Sequence, residues 1–221
     1  TMKVFYTEDQ KFEVRPWGGR MCFLATEESA QSKLLGVTAV LRMGQGLTHS
    51  THTHDDCDEI ILVLNGEGSQ LFQEEDGTEI RYDLHPDDLL YIAKNRVHRT
   101  DNLSKTDDLE LFIINYFYDG QSDVHVKGFL PGACSTAQNI LTPATCGSST
   151  VNGESLTVAP GQTVQISMMR KEGFVFAISG EGKVNGEALP AHALAFFTKG
   201  EACSVENTSD APLRLFCMQA D

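Results

Sequence analysis

The stretch Gly46-Leu47-Thr48-His49-Ser50-Thr51-His52-Thr53-His54-Asp55-Asp56-Cys57-Asp58-Glu59, running on to Gly66, holds three histidines and a terminal glutamate. On an extended strand, side chains two apart share a face and those three apart do not. His52 and His54 therefore point the same way. His49 is expected to face away from them, beside the site or in solvent. Glu59 opens the next strand across a short acidic turn, and strand pairing can bring its carboxylate to the same point as the two imidazoles. His98 follows a later turn and can supply a third imidazole. Three imidazoles and one carboxylate suit a divalent transition metal (Fe, Mn, Ni, Co, Cu or Zn) and leave positions open for substrate or water. Cys57, inside the turn, reads as a small buried thiol rather than a ligand. The run Asp55–Glu59 reads as a solvated turn near the site.

Outward from this stretch the chain is a series of short apolar or alternating runs: Leu35–Arg42, Glu59–Leu64, Ser69–Gln73, Glu79–Leu84, Leu89–Ala93 and Leu109–Phe117. Turn residues separate them, such as Asn65-Gly66-Glu67-Gly68, Glu75-Asp76-Gly77 and Lys94-Asn95; Gly and Asn tolerate positive φ, and Asp bonds its own backbone. One short helix is expected over Glu27–Leu35. A second series of strands follows at Ser155–Val158, Thr163–Met169, Phe174–Ser179, Leu194–Thr198 and Leu213–Met218. This spacing predicts an all-β protein of two successive barrels. The expected division is 1–127 for the first barrel with an N-terminal extension, 128–150 for a connector that wraps a barrel, and 151–221 for the second barrel.

The 221 residues carry 17 Lys+Arg against 31 Asp+Glu, a formal net charge of −14. Nucleic acid and anionic membrane surfaces are thereby disfavoured as partners, because both require a basic face. The N-terminal residues contain no apolar signal-peptide core, and the longest apolar runs are far too short to span a bilayer. A cytoplasmic location is expected, with Cys22, Cys57, Cys134, Cys146, Cys203 and Cys217 as reduced thiols.

Gly46, five residues, His52-x-His54, four residues, Glu59, six residues and Gly66 reproduce the first motif of the cupin superfamily, and the chain resembles that family. In the second motif, Asp87, Ala93 and Asn95 stand where cupins usually have Gly, Pro and Gly, while His98 and Asn102 match. Asn95 can keep the turn because Asn tolerates the left-handed conformation. The resemblance implies a jelly-roll barrel with His52, His54, Glu59 and His98 as metal ligands. Laying the spacing onto Gly161 puts Ser167 and Met169 at the two histidine places, Gly173 at the glutamate, Gly180 at the closing glycine and Cys203 at the last histidine; Gly200 and Asn207 match. By resemblance the chain is a bicupin (two jelly-roll barrels in tandem). Its N-terminal barrel binds one metal per chain, its C-terminal barrel is degenerate, and it forms a homodimer.

Cupins include dioxygenases, isomerases, lyases, decarboxylases and plain binding proteins, so the pocket must decide the reaction. Cupins that cleave sulfoniopropionates carry a Tyr two residues after the glutamate; here that place is Ile61, which disfavours that activity. Arg15-Pro16-Trp17-Gly18 resembles the start of some sugar-phosphate-isomerase cupins and reads equally as an aromatic anchor beside a turn. The first expectation is a metal-dependent oxidoreductase of the dioxygenase type acting on a small soluble molecule. The second is a metal-dependent isomerase or lyase acting on a sugar-like or carbonyl substrate, with Tyr91, Arg81 or His49 moving the proton. The third is a non-catalytic module that binds a small molecule. Arg42, Arg81, Arg96 and Arg99 are candidates to offset the acidic turn. His85, His125 and His192 are expected to have no role at the site.

Overall fold

The computed structural model of the chain describes residues 1–32, 37–116, 119–128 and 137–221. The parts of the expected elements that fall on residues 33–36 and on Phe117, the connector over 129–136 and Cys134 lie outside the described residues. Within them the expected helix is the single turn Glu27–Ala30, capped by Thr26, whose side chain accepts from Ser29 N while Ser29 Oγ accepts from Thr26 N. Everything else of regular form is strand apart from two other single turns.

Two sheets close around the first core. One has the strand order Thr48–His52, Val97–Asp101, Gly68–Gln73 and Glu79–Leu84. The other runs Val124–Val126, Leu89–Ile92, Asp58–Asn65, Leu109–Tyr116, Val37–Met43, Arg20–Thr26 and Glu13–Val14. Between them Leu41, Ile61, Val63, Phe72, Leu90, Ile92, Leu111 and Ile113 form one buried cluster. A second pair of sheets repeats the arrangement around Val158, Ile166, Met168, Val175, Phe197, Val205 and Leu215.

The large sheets of the two barrels pack back to back. Ile60, Leu62, Tyr91, Phe112 and Ile114 meet Phe174, Phe176, Phe196, Phe216 and Met218 in a third buried cluster. Phe112 and Phe176 stack with centroids 3.9 Å apart. The continuous apolar runs Ile60–Leu64 and Leu111–Ile114 follow from this. A strand buried on both faces has no polar side to alternate with. Two elements depart from the expected division: Lys3–Tyr6 pairs antiparallel with Ala193–Thr198, and Ala137–Leu141, inside the expected connector, pairs antiparallel with Val151–Val158, so that both extend the large sheet of the second barrel. The N-terminal segment thus ties the two barrels together.

Several matching positions brace both barrels. Asn102 Nδ2 donates to Met43 O and Asp107 O, each at 2.9 Å, and Asn207 Nδ2 donates to Val158 O at 2.8 Å and Ala211 O at 2.7 Å. Gly66 and Gly180 both take positive φ. A Cβ there would lie 2.2 Å from Asp108 O and 2.7 Å from Pro212 O respectively, so only glycine fits. The motif departures at Asp87 and Asn95 also sit at positive φ, 74° and 66°, where Asp and Asn are among the few tolerated side chains. Arg214 of the second barrel donates to the Asp87 carboxylate.

Candidate metal centre

The turn from Thr48–His52 into Asp58–Asn65 brings His52, His54 and Glu59 against His98 on the neighbouring strand. One donor atom from each lies within 4.8 Å of all the others. His98 pairs directly with His52 in the antiparallel register. His98 Nε2 is 3.0 Å and His54 Nε2 is 3.7 Å from Glu59 Oε2. The orientation of two rings is set by backbone: His52 Nδ1 donates to Ser50 O and His98 Nδ1 to Arg96 O, each at 2.7 Å. Those bonds fix the tautomer and leave Nε2 of each ring unprotonated and free to bind a cation.

His52 Nε2, His54 Nε2, Glu59 Oε2 and His98 Nε2 are buried, and beyond the close approaches within the cluster none has a hydrogen-bond partner. Buried polar atoms without partners are costly, and four of them converging on one point is the arrangement a divalent cation resolves. Three neutral nitrogens and one carboxylate match the donor preference of a mid-series transition metal. Burial alone would raise the Glu59 carboxyl, but the surrounding His98, His54 and His52 outweigh it and hold it below its ordinary value. Burial would likewise lower His98, and Glu59 reverses that.

His49 does not face away. His98 pairs with His52 while Thr100 pairs with His49, so three steps on one strand oppose two on the other. That β-bulge re-aims the side chain, and the His49 ring lies 4.3 Å from that of His52. Its other face stacks on Trp17 at 4.1 Å and 21°. Burial, then the neighbouring His52, pushes His49 down to about 4, so it is neutral near pH 7. Trp17 itself rides on a hairpin closed by Arg15 N donating to Gly19 O at 2.7 Å. The Arg15-Pro16-Trp17-Gly18 string is therefore the aromatic anchor beside a turn, set against the site. Sequence parity could not reveal this wall because the bulge is not written in residue identity.

The other candidates lie elsewhere. Tyr91 pairs with Ile60 on the face of the sheet turned to the second barrel, fully buried, and its hydroxyl donates to Asp58. Asp58 is therefore no part of a solvated turn: it also accepts from Lys94 N at 2.8 Å and Gly120 N at 3.0 Å, and burial raises its carboxyl. Arg81 pairs with Leu71 on the outer face of the small sheet, opposite to His98, and contacts Asp101 at 3.3 Å. Neither Tyr91 nor Arg81 reaches the four ligand-type residues. None of the four candidate arginines offsets the acidic turn: Arg42 pairs with Glu110, Arg96 with Glu74 and Asp123, and Arg81 and Arg99 with Asp101. Cys57 is half-buried, lies outside the four-residue cluster, and its thiol is pushed up to about 12, chiefly by burial. His85 and His125 each lie 3.7 Å from Asp88, and His192 3.4 Å from Glu110, all outside the site.

In the second barrel the matching positions are one residue earlier than spacing predicts. Cys203 pairs with Ile166, not Ser167, and the buried methionine is Met168, at 4% exposure against 71% for Met169. Thr163–Ser167 pairs with Ala202–Asn207 without the extra bulge residue of the first barrel. Ile166, Met168, Gly173 and Cys203 thus occupy the places of His52, His54, Glu59 and His98. A Cβ on Gly173 would meet Met168 Sδ at 2.8 Å, so the thioether fills the space a carboxylate would need.

Residues 39–115 match the family model described as a cupin domain. No curated protein matches the chain. Among solved structures, the bacterial pirin YhhW from Escherichia coli in complex with nickel(II) is similar at 14% identity and TM-score 0.79. The alignment covers 100% of this chain and 99% of that one. A point mutant of Bacillus subtilis oxalate decarboxylase OxdC is similar at 14% identity and TM-score 0.75, over 99% of this chain and 77% of that one.

Proposed function

We propose, from the cupin-domain match over residues 39–115 and the likeness of the chain's fold to that of a bacterial pirin, that this chain is a two-barrel cupin and a metal-dependent oxidoreductase of the dioxygenase type acting on a small soluble molecule. The observation that carries the reading is the convergence of four buried donor atoms from His52, His54, Glu59 and His98 with no partner outside their own cluster. Those four residues hold one divalent transition metal per chain, since the matching places in the second barrel offer no comparable set among the described residues. The nickel(II) of YhhW and the Mn(II) centres of oxalate decarboxylase support that range of metals. When bound, such an ion supplies a Lewis-acidic, redox-capable centre with positions left open beyond four protein donors.

The protein's own groups prepare that centre. Ser50 O and Arg96 O orient two imidazoles. Glu59 contributes one negative charge from an almost dry position, and a ligating carboxylate is not available as a base. Neutral His49, clamped between Trp17 and His52, is the group beside the centre that can accept a proton. Its placement favours one second reading, a metal-dependent lyase or isomerase, which the likeness to oxalate decarboxylase also supports. We further infer a homodimer in solution, to be measured by light scattering.

Oxygen uptake by Fe-reconstituted protein over a substrate panel separates the readings. Uptake that tracks product and disappears in His52→Ala/His54→Ala supports the oxidoreductase. Product formed without oxygen uptake assigns the lyase or isomerase.

A further inference from the structure

The row that removes Arg81 from the metal centre builds a second site on the outside of the same barrel. Arg81, Leu71 and Arg99 align across three strands, with Ser69 and Asp101 in the next row. Asp101, with its side chain only 8% exposed, accepts from Arg81 Nη1 at 3.3 Å and from Arg99 Nε at 3.1 Å. Arg81 Nη1 also donates to the buried Ser69 Oγ at 2.5 Å. One carboxylate thus orients two guanidinium groups through one nitrogen of each. Arg81 Nε and Nη2 and both Nη atoms of Arg99 make no hydrogen bond or ion pair among the described residues.

Both arginines line a cavity of about 640 Å³, together with Lys105, Gln45, Ser104 and Leu103. Its lining sets three cationic groups against a single carboxylate, in a chain whose net charge is −14. A locally basic pocket on an acidic surface marks a short-range anion site rather than a long-range steering field. Pre-oriented guanidinium forks recognise oxyanions bidentately, and an ammonium adds a point charge. Two forks and an ammonium match a tetrahedral dianion with three peripheral oxygens better than a single carboxylate with two. The volume is that of a small-molecule site, and exposed Leu103 offers an apolar rim.

We propose that this outer-wall pocket, bounded by Arg81, Arg99 and Lys105, binds a small molecule of the phosphate-monoester class, independently of the metal centre. The probe is inorganic phosphate, titrated calorimetrically into metal-loaded protein, with acetate at matched ionic strength as control. Saturable binding of one phosphate per chain is expected, weakened on the order of tenfold by Arg81→Gln or Arg99→Gln. His52→Ala/His54→Ala should retain it, which separates this pocket from phosphate seated on the metal. Lys105→Gln, on an exposed turn, should weaken binding several-fold and serves if an arginine variant fails to fold. No phosphate binding above acetate, binding unchanged in the arginine and lysine variants, or binding lost only with His52 and His54 each overturns the proposal.

Discussion

The two barrels share a frame and differ in what fills it. Asn102 and Asn207 tie the same loop carbonyls, and Gly66 and Gly180 make the same left-handed closure against a backbone oxygen. At four matching lumen positions the first barrel has His52, His54, Glu59 and His98, and the second has Ile166, Met168, Gly173 and Cys203. A jelly roll therefore tolerates either a polar constellation or a plain apolar core at one end. What changes is whether four donor atoms are left seeking a cation. Burial holds the Cys203 thiol up at about 12, which disfavours the thiolate form that binds metal.

The comparison yields graded tests. The largest effect is expected on metal content. His52→Ala/His54→Ala should drop bound transition metal from about one ion per chain to nearly none, while Cys203→Ala leaves it unchanged. Elemental analysis after purification checks this, and equal metal in wild type and double mutant would break the contrast. Next, Gly66→Ala and Gly180→Ala should each destabilise by on the order of 2–4 kcal/mol in urea unfolding, because both φ and backbone contact exclude a Cβ. Gly66→Ala should cost more, since its Cβ would come to 2.2 Å from a carbonyl oxygen against 2.7 Å at Gly180. A much smaller cost in only one barrel would show that the shared frame is not equally needed.

A smaller, symmetric effect is expected for Asn102→Ala and Asn207→Ala, about 2 kcal/mol each, from buried carbonyls left unpaired. The smallest concerns pH and is confined to the first barrel. His49 is held down to about 4 in the folded chain, against an unfolded value near 6.5. Between those values the unfolded chain binds more protons, so stability of the metal-free protein should fall as pH drops from about 6.5 to about 4. His49→Gln should flatten that slope by on the order of 1 kcal/mol, the ring being partly solvated. An unchanged slope in pH-dependent urea melts would remove His49 from the site.

The four ligand-type residues are legible in the chain because strand parity and motif spacing agree about them. Parity misplaces His49, Ser167 and Met169 for one shared reason. A single bulge residue in the first barrel shifts the side-chain parity, and the second barrel lacks it. Tyr91 and Arg81 are close to the site in sequence, but each stands on the far face of its sheet, which register decides and composition does not. Asp58 looks like part of an exposed acidic run, yet its burial depends on Tyr91, Lys94 and Gly120, residues distant in sequence.

Residue identity and spacing alone point to the all-β class, to two successive barrels and to His52, His54, Glu59 and His98 as candidate ligands with no such set in the second half. Those depend on local period, turn residues and ligand spacing, which short-range chemistry controls. The folded arrangement was needed to place Lys3–Tyr6 in the second barrel's sheet, to set Trp17 behind His49, and to turn Arg81 and Arg99 outward around Asp101. Each of these is set by strand pairing or packing between residues far apart in the chain, and no local rule carries that information.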